Sequence, residues 1–133
     1  MPTRPLAAEL VLDEHALDSA HLDLFATLAR LGHLAPDAFA PAFHDCIAAM
    51  ERDFRAEEAL MEGLDFSPLV AHREQHARVL GGLHHAAAAL VQGDAAPARK
   101  AVALLEKWLP LHIGTMDRAL VVACRRRQAQ PAT

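Results

Sequence analysis

Histidines and carboxylates stand at helical spacing in two stretches of this sequence. His72 and His76, in "AHREQH", are four residues apart, so a helix places their imidazoles on one face, about 40° apart and one turn apart along its axis. Asp53 and Glu57, in "ERDFRAEEALM", have the same spacing. Imidazole combined with carboxylate suits iron or manganese, and carboxylates can bridge two metal ions. The spacing therefore predicts a metal site.

The sequence around the histidines argues against two common kinds of metal site. A zinc-protease helix needs Glu directly after its first His, and here Arg73 follows His72. No Glu-x-x-His occurs anywhere in the chain, which argues against the ferritin-like di-iron carboxylate pattern. Tyrosine is absent, so neither a tyrosyl radical nor a phenolate ligand is possible.

The elements that must position these groups are helices. The 133 residues suit one domain, only 13 of them are Val, Ile or Thr, and Ala and Leu recur throughout. The segments "GHLAPD", "GLDFSP" and "QGDAAP" each carry a Gly followed by a Pro and divide the chain into four helices. The composition and the breaks together predict an all-α fold.

Four helices are predicted over residues 18–31, 37–62, 67–91 and 95–126. Because short loops make sequence neighbours antiparallel, we expect an up-down-up-down antiparallel four-helix bundle over 18–127. Residues 1–17 form an N-terminal arm that Leu10 and Leu12 can anchor, and 128–133 form a C-terminal tail. Gly81 and Gly82 each cost the third helix about 1 kcal/mol relative to Ala, and Pro110 should kink the fourth.

A helix rises about 1.5 Å per residue, which brings seven groups of the bundle to one level. These are His21, Asp53, Glu57, His72, His76, His112 and Asp117. His112 and Asp117 are five residues apart, about 140° round a regular helix and too wide for one face. We expect Pro110 and Gly114 to distort the helix there, and a straight, regular helix would contradict this. Buried together, the seven groups require a cation.

Composition narrows the function classes. The net charge of −4 leaves no basic stripe, and Arg125, Arg126 and Arg127 are explained as solvated residues at a helix C-terminus, so no nucleic-acid binding is expected. No run of 18 apolar residues or signal-peptide core occurs, which predicts a cytoplasmic protein without a membrane segment. Cys46 and Cys124 form no motif and are expected to be free thiols.

The chain resembles the hemerythrin family, specifically the bacterial hemerythrin-like (HHE cation-binding) domains. The resemblance covers residues 18–120 and rests on Asp18-x-x-His21 with Phe25, "FRAEEALM", His72-x-x-x-His76, and Trp108-x-x-x-His112-Ile113 with Asp117. It implies a four-helix bundle that holds an oxo-bridged pair of irons and binds dioxygen or serves a related sensing or redox role.

By this resemblance, His72, His76 and His112 are ligands of one iron, Glu57 and Asp117 are bridging carboxylates, and His21 is a ligand of the second iron. Where the family has a further histidine ligand, this chain has Asp53. The five other histidines are poorly placed to substitute and are expected at surface, loop or supporting positions: His15, His33, His44, His84 and His85.

Three interpretations of Asp53 remain at this point. In the first, Asp53 ligates the second iron. In the second, its side chain is too short to reach the iron and leaves a water-filled position. In the third, the second metal binds weakly or not at all. Retention of His21 and both bridging carboxylates favours the first two. The leading function is binding of dioxygen or a related small molecule. The alternatives are an oxidase or peroxidase, and a redox or oxygen sensor whose protein partner and oligomeric state the sequence does not specify.

Overall fold

Four helical rods make up the part of the chain that the structure describes. The computed structural model describes residues 6–64 and 68–129. The helices are α1 (His15–Leu31), α2 (Pro36–Met61), α3 (Pro68–Val91), α4 (Ala96–His112) and α5 (Arg118–Ala129). A π-helical segment, Ile113–Asp117, joins α4 to α5, and the three run on without a break as the fourth rod. A single 3₁₀ turn, Ala8–Leu10, precedes α1.

The rods pack in a closed ring. α1 contacts α2, α2 contacts α3, α3 contacts α4, and α4 returns to α1. Because the connections are short, consecutive rods are antiparallel. The predicted all-α, up-down-up-down four-helix bundle is confirmed. Across residues 6–64 and 68–129, no helix combines the length and apolar character needed to cross a bilayer.

The core forms from a stripe of buried residues along each helix, with the spacing of three or four expected of amphipathic helices. On α2 this stripe is Phe39, Phe43, Cys46, Ile47, Met50, Phe54, Glu57 and Met61. Glu57 thus occupies a position that the pattern otherwise gives to apolar residues. The same is true of His21 on α1 and of His72 and His76 on α3. The bundle therefore buries these polar groups by the same periodicity that buries its apolar core.

Residues 6–14, the described part of the predicted N-terminal arm, pack onto the bundle, and α1 begins earlier than predicted. Residues 1–5 of the predicted arm and residues 130–133 of the predicted C-terminal tail lie outside the described residues. Leu12 is 3% exposed and joins the main core, while Leu10 is half-buried against it. α1 begins at His15 instead of Asp18, since the backbone N–H of Asp18 already donates to the carbonyl of Glu14 at 2.8 Å. The Oδ1 atom of Asp18 accepts a hydrogen bond from the backbone N–H of Leu12 at 2.9 Å. Asp18 is therefore neither a helix N-cap nor a partner of His21.

Arg125 and Arg127, which were expected to be solvated, donate hydrogen bonds to backbone carbonyls of distant segments. Arg127 donates a hydrogen bond to the carbonyl of Gly63 at 2.5 Å, beside the α2–α3 connection. Arg125 donates to the carbonyls of Leu12 and Asp13 in the arm. The expectation that the cluster serves only the helix dipole was wrong for these two residues, because the bundle places chain segments more than 60 residues apart beside them.

Gly81 and Gly82 test whether the glycines of α3 serve packing. Both are exposed, and a Cβ built at either position meets no atom within 4 Å. Since nothing in the described structure requires glycine there, Gly81→Ala or Gly82→Ala should raise the free energy of unfolding by about 0.5–1 kcal/mol each, through helix propensity and reduced unfolded-state entropy. Urea unfolding of metal-free protein measures this.

Gly93 provides the matched control for that experiment. It also has open space at its Cβ position, but its φ is +88°, where an L side chain is strained. Gly93→Ala should therefore destabilise the protein. Equal effects at Gly82 and Gly93 would show that backbone conformation is not what distinguishes the two sites.

Candidate metal centre

Five potential metal-ligating side chains converge inside the bundle from three of its rods. Each offers one nitrogen or oxygen atom, and these atoms all lie within 4.8 Å of one another. All five side chains are buried: Glu57, His72, His76, His112 and Asp117. α2 supplies the glutamate, α3 supplies two histidines, and the fourth rod supplies the remaining two groups. This is a set of three imidazoles and two carboxylates that can hold a metal ion.

The three imidazoles face each other through the same ring atom. His112 Nε2 lies 3.2 Å from His72 Nε2 and 3.3 Å from His76 Nε2. These separations are close to the roughly 3 Å expected between adjacent ligands of a first-row metal ion with bonds of about 2.1 Å. Because the three nitrogens are this close and each has a lone pair, binding to one metal ion explains their arrangement better than hydrogen bonds among the imidazoles do.

The carboxylate oxygens of the cluster lack hydrogen bonds although imidazole nitrogens surround them. Glu57 Oε1 lies 3.4 Å from the Nε2 atoms of His72 and His76, and Asp117 Oδ1 lies 3.0 Å from that of His72. Among the described residues, neither oxygen has a hydrogen-bond partner of suitable geometry. Buried polar groups are nearly always paired, so these atoms suit a cation placed between them.

Asp117 faces two different groups of histidine nitrogens. Its Oδ1 atom lies 3.0 Å from His72 Nε2 and 3.1 Å from His112 Nε2, whereas its Oδ2 atom lies 3.0 Å from His21 Nε2. Neither nitrogen of the buried His21 ring has a hydrogen-bond partner in the described structure. His21 thus lies against the five-residue cluster, on the opposite oxygen of Asp117.

The π-helical segment is what brings Asp117 to the cluster. A π-helix hydrogen-bonds residues five apart, so it aligns residues that a regular α-helix separates by about 140°. The backbone N–H of Arg118 donates to the carbonyl of Ile113, five residues earlier. His112 and Asp117 consequently face the same point. The fourth rod is thus distorted within residues 110–117, as predicted, and the distortion is the π-helical segment Ile113–Asp117, which places one extra residue in a turn.

Apolar layers enclose the cluster along the bundle axis. The main core lies on one side of the metal-ligating side chains, and a small cluster of Met61, Leu69 and Leu120 lies on the other. Each of these three residues is four or fewer residues in sequence from a metal-ligating side chain. Phe54 stacks on the ring of His76, with centroids 3.8 Å apart and planes 2° apart, and Trp108 stacks on His112 at 4.3 Å. These contacts fix the imidazole planes and exclude water from those faces.

Two residues that contact the Nδ1 atoms of His112 and His76 were not predicted from the sequence. Gln75 Oε1 accepts a hydrogen bond from His112 Nδ1 at 2.6 Å, and Glu58 Oε2 lies 3.4 Å from His76 Nδ1. An acceptor on Nδ1 holds the proton there and leaves the Nε2 lone pair for a metal. Gln75 directly precedes His76 and Glu58 directly follows Glu57, and this closeness in sequence to predicted ligands could have indicated both residues. Ligand histidines need hydrogen-bond acceptors of this kind.

Charge is strongly coupled within the cluster. Burial alone would lower the pKa of His72, but the carboxylates of Asp117 and Glu57 raise it to about 9. Burial would raise the pKa of Asp117, yet its contacts with His112, His21 and His72 hold it far below its usual range. Without a metal, a proton on His72 therefore balances part of the carboxylate charge. A bound cation takes over that role and displaces a proton.

Asp53 stands apart from the five converging donors. It lies on α2 one turn before Glu57 and is half-buried. In the described ranges it makes no hydrogen bond or ion pair. Burial raises its pKa, the carboxylate of Glu57 adds to this, and Arg52 and His21 oppose it. The residue thus lies in the electrostatic field of the site, and its ligation of a metal stays a prediction.

The remaining histidines and cysteines lie outside the cluster. Five histidines are exposed, in agreement with the expectation for them: His15, His33, His44, His84 and His85. Cys46 and Cys124 are free, as predicted. Burial raises the pKa of the Cys46 thiol to about 11, so this sulfur is a poor ligand and nucleophile.

Comparison with known proteins now decides the family. The family model described as Hemerythrin HHE cation binding domain matches residues 12–124. The chain belongs to the hemerythrin family. It is also 31% identical over 127 residues to a protein named Bacteriohemerythrin from Ralstonia nicotianae, an alignment that covers 96% of this chain and 93% of that relative. No solved structure matches the chain.

Membership of the hemerythrin family explains the donor set. The family binds non-haem iron, and the buried imidazoles and carboxylates are the ligand types that suit iron. The matched region contains all of the converging donors, His21 and Asp53. This chain is therefore a hemerythrin-like metal-binding domain.

Replacing Gln75 tests the support of His112. Gln75→Leu removes the acceptor of the Nδ1 proton, so the ring loses its fixed orientation, and affinity for Fe(II) should fall about 10- to 100-fold. Anaerobic titration against a competing chelator measures this, and Trp108, which stacks on His112, provides a fluorescence signal. Glu74→Leu on the exposed neighbour is the matched control and should bind normally. Equal affinity in both variants would contradict the assigned role of Gln75.

Proposed function

We propose that this chain holds a pair of iron ions and uses them to bind dioxygen or a related small molecule. The observation that carries the proposal is the orientation of Asp117, whose two oxygens face separate sets of nitrogens. A carboxylate in this position is suited to bridge two metals. Glu57, whose Oε1 lies between His72 and His76, is the second proposed bridge.

The first iron would be held by the three imidazoles of His72, His76 and His112. Support comes from their Nε2 separations, from the stacking of Phe54 and Trp108 and from the acceptor on His112 Nδ1. Together with Glu57 and Asp117 these make five ligands.

The second iron would lie on the His21 side of Asp117. The unpaired nitrogens of His21 and the nearby Oδ2 atom of Asp117 support this position. Asp53 would either ligate this iron or leave a water-filled position, since its side chain is shorter than that of the histidine in the family pattern. Its half-buried state, in contrast to the nearly complete burial of the five converging donors, leaves this side more open to solvent.

The charge of Asp53 favours redox or sensing activity over reversible oxygen carriage. When bound, iron supplies the electrons that a dioxygen-type ligand accepts and that the side chains cannot provide. Asp53 lies close enough to Glu57 and His21 to interact with their charges, so the site carries more negative charge than one with histidine at that position. Negative charge stabilises the more highly charged, oxidised metal. An oxidase or peroxidase, or an oxygen or redox sensor, is therefore the second candidate function.

Replacement of Asp53 tests both parts of the proposal. The native chain should bind about two irons and, after oxygen is added, remain oxidised when oxygen is withdrawn. Asp53→His should lengthen the lifetime of a reversible oxygenated spectrum about tenfold or more, because it removes the carboxylate charge and supplies the imidazole of the family pattern. Asp53→Asn keeps the size and removes the charge, which separates the two causes.

Iron stoichiometry and anaerobic–aerobic absorption cycles supply the measurements. Binding of one iron or none by every variant would contradict the di-iron proposal. Stable, fully reversible oxygenation of the native chain would leave the iron pair intact but contradict the effect assigned to Asp53.

A further inference from the structure

The N-terminal arm is attached to α5 by arginines that donate to its backbone. Arg118 donates to the carbonyl of Glu9 at 2.5 Å, and Arg125 donates through one nitrogen to the carbonyls of Leu12 and Asp13 at 2.9 and 2.8 Å. The two arginines are seven residues apart, so they lie on the same face of α5. One face of α5 thus binds three carbonyls of a segment more than 100 residues away in sequence.

The arm itself is held firmly by the bundle. Leu12 is buried in the main core, and its N–H is bonded to Asp18. Asp13 adopts a φ of +56°, a left-handed conformation, at the bend just before α1. The 3₁₀ turn Ala8–Leu10 packs against the π-helical segment. The arm therefore offers α5 a fixed set of acceptors beside the segment that carries Asp117.

These bonds are compatible with only one register of the fourth rod. If the π-helical segment returned to a regular α-helix, α5 would turn by about 100° relative to α4, the angle of one residue. Arg118 and Arg125 would then leave the arm together. Asp117 would turn away from His112 at the same time, because the two are five residues apart.

We propose that the arm, bound by Arg118 and Arg125, locks the π-helical register and thereby positions Asp117 in the metal cluster. Both arginines are positioning residues, since neither reaches the donor atoms. The lock itself does not depend on which metal binds. Its consequence for metal retention rests on the proposed function.

Hydrogen exchange on the metal-free chain tests the lock directly. In Arg125→Ala, the amides of residues 113–118 should exchange about tenfold faster than in the native protein, because the π register loses charge-assisted hydrogen bonds that hold it. Arg126→Ala, a neighbouring exposed position with the same loss of charge, is the control and should exchange as the native protein does. Equal exchange in the two variants would overturn the proposal.

A variant that lacks Thr115 separates a register lock from general support of α5. Thr115 is exposed, and its removal places His112 and Asp117 four residues apart, which a regular α-helix puts on one face. In this background no π turn needs to be held, so adding Arg125→Ala should change the exchange of this segment less than about twofold. An equally large effect of Arg125→Ala in both backgrounds would overturn the lock.

Metal release tests the positioning of Asp117. Chains loaded with Co(II), used as the probe metal, should lose it to a chelator about fivefold faster in Arg125→Ala than in Arg126→Ala. Faster exchange with unchanged release would overturn the link to Asp117. Because exchange is measured without metal, failure of the di-iron proposal and failure of the lock give different results.

Discussion

The burial of ionisable groups at core positions is the constraint on which the rest of this structure depends. In the described part of the chain, six histidine and carboxylate side chains are at most 4% exposed: His21, Glu57, His72, His76, His112 and Asp117. Removing unpaired charges from water costs several kcal/mol per group, and their mutual contacts repay this only with good geometry. Several of these atoms lack any suitable hydrogen bond in the described structure. A bound cation resolves the conflict, and metal binding is thereby part of what stabilises the fold.

The bundle meets this constraint with regular helices on three rods and an irregularity on the fourth. Glu57, His72 and His76 need only the ordinary periodicity of α2 and α3. Asp117 needs the π-helical segment, whose geometry is less favourable than that of an α-helix and must be held by its surroundings. Leu120 and Val121, buried on α5, also depend on this register. The site and the packing of the C-terminal end are thus coupled through one turn.

Spacing in the sequence was sufficient for Glu57, His72 and His76 on regular helices, but not for Asp53, which has the same spacing on α2 and stands apart from the converging side chains. The bundle and the convergence of His72, His76 and Glu57 follow from spacings of four residues and from three Gly/Pro breaks. For His112 and Asp117, spacing indicated only that a distortion was needed. The form it takes depends on how α5 packs, which the local pattern does not encode. Pro110, Gly114 and their sequence neighbours do not by themselves determine the form of the distortion.

Contacts between distant segments were the part that the sequence did not reveal. Gln75 was not predicted as the partner of His112, because the contact depends on how α3 and α4 are rotated against each other. Arg125 was interpreted through the helix dipole, although it binds the arm. Asp18 was predicted only as the first residue of α1 and as part of a motif with His21, and its carboxylate accepts a hydrogen bond from the backbone of Leu12. Each involves a pairing across the fold, which periodicity along a single helix does not determine.

Under the proposed function, Asp117 would join two metal positions inside this bundle. The most direct measurement is anomalous diffraction at the iron edge from crystals of the native chain loaded with Fe(II). The account predicts two peaks about 3.5 Å apart, one beside His72, His76 and His112 and one on the His21 side of Asp117. A single peak with none near His21, or no peak within the cluster, would contradict it.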